Sequence, residues 1–524
     1  MSQVVSTIPA EPVTPPQLYA VIDVGSTSIR MVIAEMWADG RIKHHEVLAK
    51  AVGLGRDTFT TRQIKRATIE ECVVILTKYR KRLQEYQIKP ANIRIVATSA
   101  VREAENRLLF LDRVFVATGL EIAVLDDSEV HRIMYMGLMP ILRDHPMLAK
   151  QQTIVMEMGG GNTEILILHG HNIVYSHAFR LGSQRLRETL EVFRAPDNKF
   201  LQLLENQIVH TFEILPEILD MNRPIELIAL GGDIRFASAR LQPDATNDTL
   251  VRLPLVSLEN FSRRLATHSV EELTRVYPLA FQDAETVVPA LMAYSIVARL
   301  IKLNDLKVCS VNLRDGLLQD LATREKWSSE LEDQIIRSAI QVARKYHVDE
   351  EHAMHVAELA RKLFEQLTEY HRLEARYLRI LYVSALLHEI GLFISNFAYH
   401  KHSQYLITNC ELFGMSQQDL VLVSLITRYH RRSPPKSTHT PFMILTRDQR
   451  ITVLKLAALL RVSIALNASR NQRIQQFQCH QERNRLVINI DQTEDVTNEQ
   501  IALRQSGSMF EDVFGLIPQI RAKI

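Results

Sequence analysis

Glu157, the triplet Gly159-Gly160-Gly161 and the polar run Asn162-Thr163-Glu164 are the residues of this sequence best placed to do chemistry. Three glycines without Cβ atoms let the chain turn tightly and aim successive N–H groups at one point, a cradle for phosphate oxygens. Glu157 and Glu164 flank that cradle, and two carboxylates beside a phosphate nest would share a hard divalent cation. Apolar runs before and after it, within 153–167, predict strand, glycine turn, strand. The same unit occurs earlier, at 20–33, with Asp23 over Glu157, Gly25 over Gly159 and Ser26 over Gly160. One copy reads as an ordinary hairpin with a glycine turn. Two copies with matched acid and glycine read as an internal duplication, hence two similar α/β lobes with a phosphate compound clamped between them.

The elements that must position these residues follow in order. A third strand is expected at 45–52 and a surface helix over 62–86, where apolar residues recur at helical spacing among Arg and Lys. The run 93–102 predicts a strand delivering Thr98, Ser99 and Arg102 to its C-terminal end, where open α/β sheets bind ligands. An arginine there can fork onto phosphate. A helix at 107–118, a strand at 121–125 and a helix opening at Asp126-Asp127-Ser128-Glu129, with acids in its first turn, complete the first lobe. The second has strands at 164–169, 172–178 and 227–233, the last ending in the pair Gly231-Gly232. Helices through 284–303, a strand at 307–311 and a final helix opening at Arg314 finish it. Beyond about Glu330 strand signals vanish and histidines cluster: His352, His355, His388, His400, His402 and His430. A last segment, 484–514, returns to alternation at 486–490 and suggests a small α/β cap.

Composition narrows the function classes. The 524 residues suit three or four domains, and 46% hydrophobic content is ample for their cores. A net charge of +2 gives no global argument for nucleic acid or membrane, so neither is expected as a partner. Cys72, Cys309, Cys410 and Cys479 are scattered without CxxC spacing and read as buried thiols. No apolar run approaches the roughly 20 residues of a membrane span. Residues 1–17, with four prolines and no periodicity, read as a disordered lead-in. A cytoplasmic protein is expected.

Taken together, the motifs resemble the exopolyphosphatase / guanosine pentaphosphate phosphohydrolase (Ppx/GppA) family. Ala20-Val-Ile-Asp-Val-Gly-Ser-Thr-Ser28 is similar to its first phosphate loop, Val96-Ala-Thr-Ser-Ala-Val-Arg-Glu-Ala-Glu-Asn106 to its ATSAxRxAxN block, and Glu157-Met-Gly-Gly-Gly-Asn-Thr-Glu164 to its DxGGGSTE. His352-Ala-Met-His355, Leu387-His-Glu-Ile-Gly-Leu392, His400-Lys-His402 and Arg428-Tyr-His-Arg-Arg432 resemble the HD-type helical domain of longer members, and Met509-Phe-Glu-Asp-Val-Phe-Gly515 their C-terminal end. The resemblance implies an α/β fold of two actin-like lobes, 18–137 and 138–325, an all-α HD-like domain, 326–472, and a small C-terminal α/β domain, 473–524. It implies a Mg²⁺-dependent hydrolase that removes terminal phosphate from polyphosphate or guanosine pentaphosphate, and a homodimer. Asp23, Glu157 and Glu164 would hold the cation. Gly25, Ser26, Thr27, Ser28, Ser99, Gly159, Gly160, Gly161, Asn162, Thr163, Gly231 and Gly232 would bind phosphate. Arg102 would stabilise its charge, and Glu164 and Glu129 are the carboxylates expected to act on water.

Several residues depart from that pattern. Val130 stands where the family's water-activating glutamate aligns, and valine cannot take a proton; neighbouring Glu129 could serve only with a local shift, since one step along a helix rotates a side chain by roughly 100°. Glu157 replaces an aspartate, Thr27 an asparagine and Asp233 a threonine, the last adding negative charge near a polyanion site. In the helical domain Glu389 replaces the aspartate of the His-Asp pair and 460–466 supplies no acid, so the histidines are expected to pack and hydrogen-bond rather than hold a catalytic metal. Lys401, His402, Arg428, His430, Arg431 and Arg432 form a basic group that would guide a long polyanion or simply face solvent. A weakened, phosphate-binding regulatory protein is the alternative that Val130 favours, and a nucleotide-dependent kinase of the same superfamily a more distant one.

Overall fold

The computed structural model describes residues 16–37, 41–192, 197–245, 249–322, 329–431, 433–490 and 495–522. Most of the expected lead-in, 1–15, lies outside them, but Gln17 already belongs to a strand. The chain divides into two compact units, Met1–Ser328 and Ser329–Ile524.

The first unit carries two sheets. One is built from β1 (Gln17–Val24), β2 (Ser28–Met36), β3 (Ile42–Ala51), β4 (Ile93–Ala97) and β5 (Ala123–Val124). The other is built from β6 (Gln152–Met158), β7 (Thr163–His169), β8 (Asn172–Phe179), β9 (Ile225–Leu230), β10 (Leu250–Pro254) and β11 (Asp305–Cys309). The first runs β3-β2-β1-β4-β5 and the second β8-β7-β6-β9-β11-β10. In both, the first three strands are antiparallel neighbours and the next two pairings are parallel. The duplication read from two motifs therefore extends to a whole sheet topology.

Each central strand is buried on both faces, which explains its continuous apolar run. Alternation sends Ala20, Ile22 and Val24 into a core with Leu76, Tyr79 and Phe110 from helices Arg66–Glu85 and Arg107–Thr118, while Val21 enters a second core with Val130, Ile133 and Leu317. Fully burying a side chain such as Ile22 is worth roughly 1.5–3 kcal/mol. Three expectations change here. The helix Leu313–Ala322, expected to finish the second lobe, packs on β1 and β2 and on the helix Asp127–Asp144, so the first lobe is completed by residues 313–322. The strand expected over 93–102 ends at Ala97; the Val101 and Arg102 N–H groups bond Thr98 O and begin a helical turn, Ser99–Arg102. A short helix, Leu54–Thr61, precedes the expected one.

The second unit is helical from Ser329 to Ala465 and closes with a three-stranded sheet, β12 (Phe477–Glu482), β13 (Arg485–Ile490) and β14 (Ile517–Ala522), with helices Thr497–Ser506 and Ser508–Phe514 packed on the helix Arg447–Ala465. Among the described residues no helix is long and apolar enough to cross a membrane.

Candidate active site

The two glycine turns follow the C-terminal ends of β1 and β6, and the same bond closes both. The Gly25 N–H donates to Ser28 O at 3.0 Å and the Gly159 N–H to Asn162 O at 2.9 Å. In the strand registers Asp23 faces Arg30, and Glu157 faces Glu164. The duplicated unit thus places an acid at the same point of each lobe and, opposite it, a cation in one and a second acid in the other.

The turns meet across a cleft of about 140 Å³ lined by Asp23, Gly25, Ser26, Thr27, Ser28, Arg30, Thr98, Ser99, Arg102, Val130, Glu157, Gly159, Gly160, Gly161, Asn162, Glu164 and Leu313. Gly160 and Gly161 are needed for this approach. A Cβ at 160 would lie 2.9 Å from Ser26 Cβ, and one at 161 only 2.3 Å from Ser99 Oγ and 2.6 Å from Phe59 Cζ. The carbonyls of the triplet are occupied from behind: Ser183 N donates to Gly159 O, Gln184 N and Arg185 N to Gly160 O, and Arg185 Nε to Gly161 O. With those acceptors taken and the Gly159 N–H bonded to Asn162 O, the Gly160 and Gly161 N–H groups are what the turn can offer a phosphate oxygen.

Arg102 donates from Nη1 to Leu125 O at 2.7 Å and pairs through Nη2 with Asp127, which also accepts from Asn162 Nδ2 at 3.3 Å. Behind the cleft, Arg314 Nη1 lies 3.4 Å from Asp23 Oδ2. Burial pushes the Glu157 carboxyl up to about 7, with Glu164 and Asp23 adding to the shift and Arg235 and Arg314 opposing it. His131, 2% exposed, places Nε2 at 2.8 Å from Glu164 Oε2, at an angle that makes no hydrogen bond. Glu164 Oε2 and Asn162 Oδ1 are otherwise buried acceptors without a donor among the described residues. Orphaned acceptors beside three carboxylates, one of them pushed up chiefly by burial, are a set that a hard cation would satisfy.

Four expected residues fall outside the lining. Glu129 reaches back to the Asp126 N–H at 3.3 Å while Asp126 accepts from Glu129 N, a capping box that fixes the start of the helix Asp127–Asp144. Its carboxylate is spent on the cap, and burial, then Asp126, raises its pKa. Val130 is the residue of that turn that lines the cleft. Thr163 is fully buried and donates Oγ1 to Leu181 O, so it ties β7 down instead of reaching phosphate. Gly231, at φ +118°, makes the sharp exit from β9, where a Cβ would lie 3.0 Å from Tyr294 Oη, and Gly232 opens the next helix. Conversely, Arg30, Arg314 and His131 were not singled out from the sequence as site residues. Arg30 had a signal, its place opposite Glu164 in the aligned repeat; Arg314 and His131 had none in spacing.

In the second unit the histidines pack as a buried group. The rings of His352 and His388 are 5.5 Å apart and those of His388 and His430 5.4 Å apart. Asn467 and the Ala385 carbonyl bond His352 and His388. Burial, then the neighbouring His388, holds His352 down to about 4. His352, His388 and Glu389 nevertheless each bring one ligand atom within 4.8 Å of the others, with Arg470 paired to Glu389. Of the basic group, Lys401, Arg428 and Arg431 line a separate cavity, His430 is buried with the histidines, and Arg432 lies outside the described residues.

The comparisons with known proteins agree with this architecture. Residues 38–325 match the model of the Ppx/GppA phosphatase family, and residues 336–506 that of Ppx/GppA phosphatase domain III. The first match alone spans more than half of a two-lobed α/β chain with this cleft. The chain belongs to the Ppx/GppA phosphatase family. It is similar to the guanosine-5'-triphosphate,3'-diphosphate pyrophosphatases of Aliivibrio fischeri (strain MJ11), 23% identical over 454 residues covering 85% of this chain and 87% of that protein, and of Pseudoalteromonas translucida, 25% identical over 427 residues covering 79% and 80%. Its fold is similar to that of an exopolyphosphatase from Cytophaga hutchinsonii, with a TM-score of 0.53 at 22% identity, over 60% of this chain and all of that one.

Proposed function

We propose that this chain releases terminal phosphate from inorganic polyphosphate or guanosine pentaphosphate with Mg²⁺. The observation that carries this reading is the convergence of both glycine turns, Arg30, Arg102 and three carboxylates on one cleft of about 140 Å³. That is well below the roughly 300–1,000 Å³ of ordinary ligand pockets, so only the end of a phosphate chain would enter. The repeated sheet order supports the expected actin-like lobes, and the likeness to pyrophosphatase and exopolyphosphatase relatives supports the substrate class.

Asp23, Glu157 and Glu164 would hold Mg²⁺, which when bound supplies positive charge beside the phosphoanhydride oxygens. The turn N–H groups and Arg102 bind the terminal phosphoryl group, and Arg102 must exchange Asp127 for phosphate to do so. With Glu129 committed to its cap, Glu164 is the carboxylate we assign to orient the attacking water and accept its proton, with His131 packed behind it. The transition state of phosphoryl transfer is loose, so positioning and charge matter more than basicity. Val130 on the cleft wall favours a second reading, a regulatory protein that binds phosphate chains and hydrolyses them poorly.

Phosphate release with Mg²⁺ from long-chain polyphosphate and from guanosine pentaphosphate, with binding measured in parallel, separates the two. We expect release by the natural chain and a loss of about 100-fold or more in Glu164→Gln, with binding retained. Binding without release by the natural chain would leave the regulatory reading.

A further inference from the structure

A second cavity, of about 260 Å³, lies wholly within the helical unit. Lys401, Arg428, Arg431 and Lys436 all line it, and none of its lining residues is acidic. Among the described residues none of the four forms an ion pair with a carboxylate. Two of the four are held in place without being neutralised. Arg428 donates from Nη1 to the neutral Gln404, and the Arg431 guanidinium sits 4.6 Å over the Tyr399 ring. The floor is equally fixed: Tyr429 and His439 are stacked with ring centroids 5.6 Å apart, and their Oη and Nδ1 atoms are 2.8 Å apart. The converging field is felt by His439, whose pKa is lowered by burial and then by Arg428, Lys436 and Lys401. A concave set of uncompensated cations, two of them held in place, is an anion site.

We propose that this cavity is a second phosphoanion site, taking a compact di- or triphosphate group, either inorganic or carried by a nucleotide. Four cations match the charge of such a group, and the volume admits it with little besides. Arg428 and Arg431 present planar forks for bidentate contact, and the exposed Lys401 and Lys436 close the rim as mobile point charges. The site uses no residue of the glycine-turn cleft and stands or falls independently of the proposed hydrolysis.

The test is a lysine footprint on the full chain: acetylation rates of Lys401 and Lys436, read by mass spectrometry, with and without inorganic tripolyphosphate or guanosine diphosphate, against sodium chloride of equal ionic strength. Lys81, an exposed lysine of the helix Arg66–Glu85, is the internal control. We expect at least fivefold protection of Lys401 and Lys436 and none of Lys81. The stronger probe identifies the carrier: tripolyphosphate for an inorganic group, guanosine diphosphate for a nucleotide. In Lys401→Gln/Lys436→Gln, which alters only exposed side chains, tripolyphosphate affinity at this site should fall about tenfold or more, in line with the loss of two short-range charge contacts. To separate this binding from that of the cleft, the titration is repeated in the Arg102→Ala background. Protection no greater than that of Lys81, or unchanged tripolyphosphate binding in the double variant, would overturn the proposal.

Discussion

Asp233 offers the sharpest physical test of the fold around the cleft, because its charge is opposed by its surroundings. It sits half-buried in the first turn of the helix Gly232–Leu241, and burial, then Asp283, raises its carboxyl from the ordinary 3.8 to about 7, with Arg30 and Arg235 opposing. In the unfolded chain the group ionises above about 3.8; in the folded protein it keeps its proton until about 7. Between those values the folded state binds a proton that the unfolded state lacks. Stability therefore falls as pH rises through that window and levels off above it. Raising the carboxyl this far corresponds to about 4 kcal/mol at 1.36 kcal/mol per decade, and roughly 2 kcal/mol remains once water reaching the half-buried group screens it. Asp233→Asn removes the charge and keeps the shape. We expect its melting temperature by calorimetry to exceed that of the natural chain by a few degrees at pH 8, with the gap narrowing toward pH 5. A gap that is flat with pH, or that widens on acidification, would refute the electrostatic account of this corner.

Two further substitutions test the cleft itself. Gly161→Ala forces a Cβ to within 2.3 Å of Ser99 Oγ, so the lobes must part; we expect phosphate release to fall at least tenfold and stability to drop by about 1–3 kcal/mol, and pairing it with Ser99→Gly to recover part of both. Val130→Glu places a carboxylate on the cleft wall at the position where the family resemblance puts the water-activating glutamate. Its turnover should rise at least tenfold, at a cost of about 1–3 kcal/mol for disturbing the core shared with Ile133 and Leu317; a folded variant with unchanged turnover would place the attacking water elsewhere.

The sequence by itself determined the repeated strand, glycine turn and strand, because their signals are local: continuous apolar runs mark strands buried on both faces, and glycine without Cβ fixes where the chain can turn. It also placed Asp23, Ser99, Arg102, Glu157, Asn162 and Glu164, which the fold brings to one cleft. Only the tertiary structure decided the rest. Whether Glu129 faces a ligand or its own helix end depends on a cap closed with Asp126, and a carboxylate meets the nearest orphan N–H first. Thr163 looked like a phosphate ligand in its motif, yet strand alternation turns it to Leu181 while Glu164 faces the cleft. Arg314 reaches Asp23 across 291 residues because the helix Leu313–Ala322 packs back on the first sheet, and His131 meets Glu164 because two separate lobes close on each other. Such contacts arise from packing between distant segments, and no spacing along the chain encodes them.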